Sequence, residues 1–295
     1  MPKPAPDAPS SSVMAGGAAR IALLTALAML AFAGNSVLCR LALKGAGIDA
    51  ATFTLVRIAS AALVLWLILK ARQRDAGGAG SWASAATLMI YAVAFSYAYT
   101  KLAAGAGALL LFGAVQATMI GYGFFKGERL AARQWLGLAL ALAGLVWLVL
   151  PGLAAPEPAS SALMMLAGVG WGVYSLRGRG LADPVGATAG NFLRALPLAL
   201  AVFALAYRHA MVDAAGFGYA VASGALTSGI GYVIWYAALK GLKPATAATV
   251  QLSVPVIAAA GGVALLGEAL TARLLVSSAA ILGGIALVAL SRRTP

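Results

Sequence analysis

From Ile21 onward the chain alternates long apolar runs with short polar breaks. The runs cover Ile21 to Leu41, Ala50 to Leu69, Trp82 to Thr100, Ala103 to Phe125 and Ala132 to Leu150. After a break they resume at Ala162 to Leu176, Val185 to Tyr207, Gly216 to Leu239, Ala245 to Leu266 and Ala272 to Leu290. Most approach the roughly 20 residues that a helix needs to cross a hydrocarbon layer of about 30 Å. The pattern therefore predicts ten spanning helices, the sixth being the shortest. Pro151-Gly152 ends the fifth, because proline cannot continue a helix and glycine suits its exit. Residues 151–161, PGLAAPEPASS, form the longest connection and lie near the middle. Residues 1–19 are rich in Pro, Ala, Ser and Gly and lack aromatic residues, which predicts a disordered tail.

The two halves repeat. An offset of 140 positions brings Leu102 onto Leu242, Gly127-Glu128 onto Gly267-Glu268, Arg133 onto Arg273, Gly144 onto Gly284 and Leu150 onto Leu290. Near an offset of 139, Phe32-Ala33 meets Trp171-Gly172, Ser36 meets Ser175 and Arg40 meets Arg179. Val56-Arg57-Ile58 resembles Leu193-Arg194-Ala195, and Phe95 meets Trp235. Each match is weak in an Ala- and Leu-rich chain; their common order is the evidence. The repeats occupy residues 20–150 and 162–291. Arg20, the apolar run after it and Ala31-Phe32-Ala33 also have the form of a signal peptide. The match to the sixth run favours a retained helix.

Composition changes the solvent. Of 295 residues, 62% are hydrophobic and 10% charged, with a mean hydropathy of +0.92, whereas a soluble domain carries about 25% charged residues. The lipid bilayer is the expected surrounding, which makes the chain an all-α integral membrane protein. The net charge of +13 does not indicate nucleic acid, because the basic residues sit in clusters between the runs. Placing the N-terminus in the cytoplasm puts Lys70, Arg72, Arg74, Lys126, Arg129, Arg133, Arg177, Arg179, Lys240 and Lys243 on that side; the other keeps Arg40, Lys44, Lys101, Arg208 and Arg273. Both termini are then cytoplasmic, and an odd number of helices per repeat turns the second repeat upside down in the membrane, as in many secondary transporters. A bacterial inner membrane is the expected location.

On these residues the chain resembles the drug/metabolite transporter superfamily, EamA type. Phe32-Ala33-Gly34 and Trp171-Gly172, Arg57 and Arg194, and the two Gly-Glu pairs before Gly-rich last helices carry the likeness. Within that family it is most similar to YddG-like exporters of aromatic and other apolar amino acids. It departs from the pattern where Phe32-Ala33 replaces Trp-Gly and where Ala104 stands opposite Pro244. The resemblance implies a bundle around a central cavity lined by the first, third, fourth, sixth, eighth and ninth helices, with export of amino acids or similar small metabolites. A multidrug or sugar-phosphate carrier of the same superfamily is the alternative, and a membrane sensor or scaffold is the alternative from another class.

The candidate chemistry fits a carrier rather than an enzyme. The 8 acidic residues all fall outside the predicted helix cores, and no nucleophile stands beside a base. One histidine, His209, and one cysteine, Cys39, make a dedicated metal site improbable, and no cofactor is expected. Without an intramembrane carboxylate, a facilitator or exchanger is expected instead of a proton-coupled pump. Arg57 and Arg194 are the charges well inside predicted helices; their paired positions favour an architectural role over a grip on a substrate carboxylate. The candidate cavity residues are aromatic, amide and hydroxyl side chains. Tyr91, Phe95 and Tyr99 form one stripe of the third helix, at i, i+4 and i+8. Ser228, Tyr232 and Trp235 do the same on the eighth, and Asn35, Gln116, Trp171, Tyr174, Gln251 and Ser253 complete the set. Amides are costly against lipid and should turn inward. The bland alternative is helix packing and interfacial aromatic anchoring. Gly121, Pro255 and Gly261 are candidate hinges in the fourth and ninth helices, where packing is again the plain alternative. The expected partners are a small-molecule substrate and membrane lipid, with no nucleic acid; a single chain holding both repeats suffices to form the pathway.

Overall fold

A computed structural model describes residues 11–74, 79–127, 131–152, 155–242 and 244–290, with side chains omitted for 11–16, 244, 245 and 248. Among the described residues there are helices and no strands. In order these are α1 (Ser11–Arg40), α2 (Ala50–Ala71), α3 (Trp82–Tyr99), α4 (Ala104–Phe125) and α5 (Ala132–Val149). The second half contains α6 (Pro158–Arg177), α7 (Pro184–Ala206), α8 (Ala214–Leu239), α9 (Pro244–Val250), α10 (Ser253–Leu266) and α11 (Ala272–Leu290). Eight of these stretches are long and apolar enough to cross a membrane. α3 is not among them, because Ser84, Thr87, Tyr91, Ser96, Tyr97 and Tyr99 lower its hydropathy.

Local chemistry sets the ends. Asp49 caps α2, its Oδ1 accepting from the N–H groups of Ala51 and Thr52 at 2.9 and 3.0 Å. Ser81 caps α3, while Glu157 and Asp183 cap α6 and α7, each followed by proline at the first helical position. The capped start at Pro158 brings part of the expected loop 151–161 into α6. α1 starts at Ser11, ahead of the expected Ile21, over a stretch whose alanines favour helix. Residues 1–10 of the expected tail, and Glu128 of the first Gly-Glu pair, lie outside the described residues. The second pair ends α10 on Gly267, held at φ 62° in the left-handed region.

α1 runs on into a π-helical turn at Leu41–Gly45, and two further helices depart from regular winding. The expected ninth span is divided at Gln251-Leu252, between α9 and α10. Pro255 explains the position: its ring crowds the carbonyl of the residue four before it, and its missing N–H leaves that carbonyl without its helical donor. The Val254 N–H and the Gln251 and Ser253 side chains bond backbone carbonyls around the break instead. α8 passes through a π-helical stretch at Ser223–Ile230, a rare, wider winding that is frequent at functional sites.

The halves interlock. α1 packs on α8 and α10, and α6 packs on α3 and α4, the corresponding helices of the other half. α2 lies on α7 and α8, α4 meets α10, and α5 pairs with α11. Lipid is as apolar as a leucine side chain, so close packing rather than water exclusion must hold helices together. Small residues supply it: a Cβ on Gly168 of α6 would lie 2.5 Å from the Ala114 Cβ and 2.6 Å from the Leu111 carbonyl of α4. Outward-facing Trp135, Leu136, Val146, Trp147, Leu275 and Val276 on α5 and α11 are exposed. In water they would form a large apolar patch; against lipid they are solvated.

Candidate functional site

Inside the interlocked helices lies a small cavity walled by Phe32, Asn35 and Ser36 of α1, Tyr91 and Phe95 of α3, Leu111 and Phe112 of α4, Trp171 of α6, and Thr227, Ser228 and Tyr232 of α8. Its free volume is about 20 Å³, room for little more than one water. The walls are in contact across it. The Tyr91 ring lies 5.3 Å from Phe95 and 5.1 Å from Trp171, and Trp171 lies 5.2 Å from Tyr232. Phe32 meets Tyr232 edge-on at 6.0 Å. This is a contracted, aromatic-lined chamber, which has to expand before it admits a small organic molecule.

A polar network runs along one side. The Asn35 Oδ1 accepts from the hydroxyls of Ser223, at 2.7 Å, and Thr227, at 3.3 Å. Its Nδ2 donates to the Tyr91 hydroxyl oxygen at 3.1 Å. Arg57 of α2 donates from Nη2 to the same oxygen at 2.8 Å and from Nε to Ser228 Oγ at 3.3 Å. Its guanidinium carbon sits 5.1 and 5.0 Å from the Tyr91 and Phe95 ring centres. The π-helical winding of α8 matters here, since Ser223, Thr227 and Ser228 all come from that stretch.

Arg57 is 1% exposed, makes no ion pair among the described residues, and leaves Nη1 without a hydrogen-bond partner. Arg194, its counterpart in the repeat, is only half-buried and donates to the backbone carbonyls of Ala79 and Gly190. The shared architectural role expected from their paired positions fits Arg194, which ties α7 to the residues before α3. Arg57 also ties helices together, α2 to Tyr91 of α3 and Ser228 of α8, but it does so beside the cavity and with Nη1 to spare.

Six of the candidate residues meet at the cavity: Asn35, Tyr91, Phe95, Trp171, Ser228 and Tyr232. The others lie elsewhere. Tyr99 is fully buried behind Phe95, its ring 4.7 Å away, and its hydroxyl donates to the Ala104 carbonyl. Tyr174 stacks on the outer side of Trp171 at 5.4 Å and accepts from Asn191. Trp235 packs against Phe32 at 5.8 Å. Gln116 faces a separate hollow between α4, α5 and α11, with Ile120, Leu145 and Ile281 around it. Gln251 and Ser253 are occupied in mending the helix break. Of the hinge candidates, Pro255 accounts for that break. Gly261 gives Val37 of α1 a close approach, and a Cβ on Gly121 would meet nothing within 4 Å.

The sequence reading missed the wall residues Phe32, Ser36, Leu111, Phe112 and Thr227. It also missed a buried charge pair. Glu268, expected to mark only a turn, reaches back to Arg40 at the end of α1, with Nε to Oε1 at 3.1 Å and side chains 9% and 8% exposed. The other carboxylate oxygen accepts from the Ala104 N–H at 2.8 Å, while Arg40 Nη1 donates to the carbonyls of Tyr99 and Thr100. One cluster therefore joins the ends of α1, α3 and α10 to the start of α4. On the same face Asp213 accepts from the Gly47 N–H at 2.9 Å and Asp49 from the Met211 N–H at 2.9 Å, clasping the α1–α2 connection to the α7–α8 connection.

The chain matches the EamA-like transporter family twice, over residues 19–150 and 159–290. It is 54% identical over 270 residues to an uncharacterized protein of Pseudomonas aeruginosa, a match covering 91% of this chain and 94% of that one. Its fold is similar to that of a protein crystal structure with a TM-score of 0.65, at 20% identity, covering 91% of this chain and 96% of the other.

Proposed function

We propose that this chain, which belongs to the EamA-like transporter family, exports amino acids with aromatic or other apolar side chains, or similar small metabolites, across a bacterial inner membrane. Family membership makes it a multi-pass membrane transporter of small substrates, not an enzyme. The finer reading rests on one observation: an aromatic-walled cavity, shared between both halves, carries hydrogen-bonding groups on a single side. Such a chamber suits a molecule with an apolar body and one polar end.

Alternating access supplies the mechanism. The contracted cavity is sealed on one face by the Arg40–Glu268 cluster and the aspartate clasp. On the opposite face Ser81 donates to Asn191 and Arg177 donates to Ser84. Release of one set while the other holds would expose the cavity to each side in turn, with the break before Pro255 as the place where the α9–α10 segment bends. Among the described residues no Asp or Glu borders the cavity, which supports a facilitator or exchanger driven by the substrate gradient.

Purified protein in liposomes loaded with labelled phenylalanine should release it, and unlabelled apolar amino acids on the outside should accelerate release. No flux of any amino acid would overturn the substrate assignment. Uphill movement driven by an imposed pH gradient would overturn the facilitator mechanism.

A further inference from the structure

The donors and acceptors around the cavity do not balance. Arg57 is a permanent cation, and Nη1 has no partner. The Tyr91 oxygen already accepts from both Arg57 and Asn35, which uses its lone pairs. Among the described residues its own O–H proton has no protein acceptor and is available to a ligand. The Asn35 oxygen accepts from Ser223 at 2.7 Å, while the Thr227 proton goes chiefly to the Ser223 carbonyl at 2.6 Å. The site thus offers a positive charge and two unused donors, and among the described residues no carboxylate faces them. Burying an arginine without a counter-ion is costly, and the faces of Tyr91 and Phe95 offset only part of that cost. Arg194 shows that the same position in the repeat can satisfy its guanidinium with carbonyls; Arg57 is left unsatisfied in the residues that frame the cavity.

We propose that the ligand of this cavity is an organic acid with an apolar body, whose carboxylate is held by Arg57 and the Tyr91 hydroxyl, and that an α-ammonium group is dispensable. Tyr91 and Ser228, which Arg57 grips, are themselves cavity walls, so the guanidinium lies directly behind them. The bond to Ser228 is long, 3.3 Å, and is the one a carboxylate would replace. A planar guanidinium matches a carboxylate with two parallel bonds. Nothing equivalent receives an ammonium: the described acidic residues Asp49, Glu157, Asp183, Asp213 and Glu268 all cap helices or pair at helix ends, away from the cavity walls.

This rests on the cavity being the transport site, and a binding measurement separates the two claims. Thermal stabilisation of the detergent-purified full chain is recorded with phenylalanine, 3-phenylpropionate, phenylalaninamide and phenethylamine. The two carboxylates should bind with similar affinity, and the amide and the amine at least about tenfold more weakly, as loss of a charge-assisted pair requires. Arg57→Gln should abolish that difference. Should it fail to fold, Tyr91→Phe, which removes one hydroxyl, should narrow the difference several-fold in a chain that elutes as the native protein does. The proposal is overturned if the amide or amine binds as well as the carboxylates, if phenylalanine binds and 3-phenylpropionate does not, or if both variants keep the full difference. Carboxylate binding without flux of any compound would sustain the proposal and overturn the transport reading instead.

Discussion

Replacing Glu268 with glutamine should unlatch one face of the transporter. The carboxylate receives Arg40 Nε at 3.1 Å and the Ala104 N–H at 2.8 Å. An amide has one acceptor oxygen, so either Arg40 or the helix start faces an NH₂ group, donor against donor. Breaking a buried pair by removing one charge costs about 3–5 kcal/mol. Arg40 keeps the Tyr99 and Thr100 carbonyls at 2.9 and 3.0 Å, so a loss of about 2–3 kcal/mol is expected. At 1.4 kcal/mol per factor of ten, the open form becomes roughly 30- to 140-fold more populated. The chain carries its own reporter. Cys39, the single cysteine, adjoins Arg40 and is 0% exposed. Its modification by a membrane-impermeant maleimide in oriented vesicles should accelerate by that factor. Combining Glu268→Gln with Arg40→Gln should slow it again, since two neutral amides can bond each other. A rate within twofold of the wild type in folded protein would refute the latch.

Three further outcomes follow from the packing and the break. Pro255→Ala should restore the missing helical bond and stiffen the α9–α10 segment, slowing liposome flux several-fold while leaving ligand affinity unchanged; unaltered flux would show that the bend is only structural. Gly224→Ala should unfold or strongly destabilise the chain, because the methyl would fall on the Ser60 hydroxyl and the Arg57 carbonyl of α2. Gly121→Ala, with open space around it, should be tolerated and gain up to about 1 kcal/mol of helix propensity in thermal unfolding. The aspartate clasp should respond to acid. Hydrogen bonds from the Gly47 and Gly216 N–H groups hold Asp213 below the usual carboxylate range. For Asp49 burial acts upward but is outweighed by hydrogen bonds from Thr52, Met211 and Ala51. Groups lowered in this way contribute stability above the unfolded value of 3.8, and it is lost as pH falls through the still lower folded values. Thermal unfolding should show no pH dependence from these groups between pH 7 and about 5, where their contribution is fully present, and a loss below about 4 that Asp213→Asn reduces and the double change with Asp49→Asn removes.

Helices were legible in the sequence because apolar runs of membrane length have few other fates. Pro255 stood out as a candidate hinge, but the ninth run reads as one helix, and its division at Gln251-Leu252 was not legible. Nor was the π-helical stretch of α8: Ser223–Ile230 keeps the apolar and small composition of its neighbours, and the wider winding depends on how α2 and α1 pack against it. Tyr91 and Phe95 were found by helical spacing, but spacing alone could not tell which end of the stripe met the cavity, and Tyr99 turned out to lie behind Phe95. The Arg40–Glu268 pair was hidden because its members are 228 residues apart and Glu268 sits where any loop carboxylate would. The difference between Arg57 and Arg194 was hidden for the opposite reason: the repeat made them look alike.

That difference points to how recognition can arise in a duplicated fold. A two-faced carrier needs matching halves, so that contacts broken on one side can be remade on the other. The framework follows this rule, with α1 on α8 and α10 as α6 is on α3 and α4. The donor cluster does not. At the positions repeating Asn35, Arg57 and Tyr91 stand Tyr174, Arg194 and Gly231, of which Tyr174 bonds Asn191, Arg194 bonds backbone and Gly231 has no side chain. A ligand held by Arg57 and Tyr91 therefore has no second cluster to pass to and should keep those contacts in both orientations. Tyr91→Phe should then weaken carboxylate binding by the same factor in right-side-out and inside-out vesicles. A loss confined to one orientation would mean that the ligand is handed to other residues during transport, and would place the recognition of the second state outside the donor cluster.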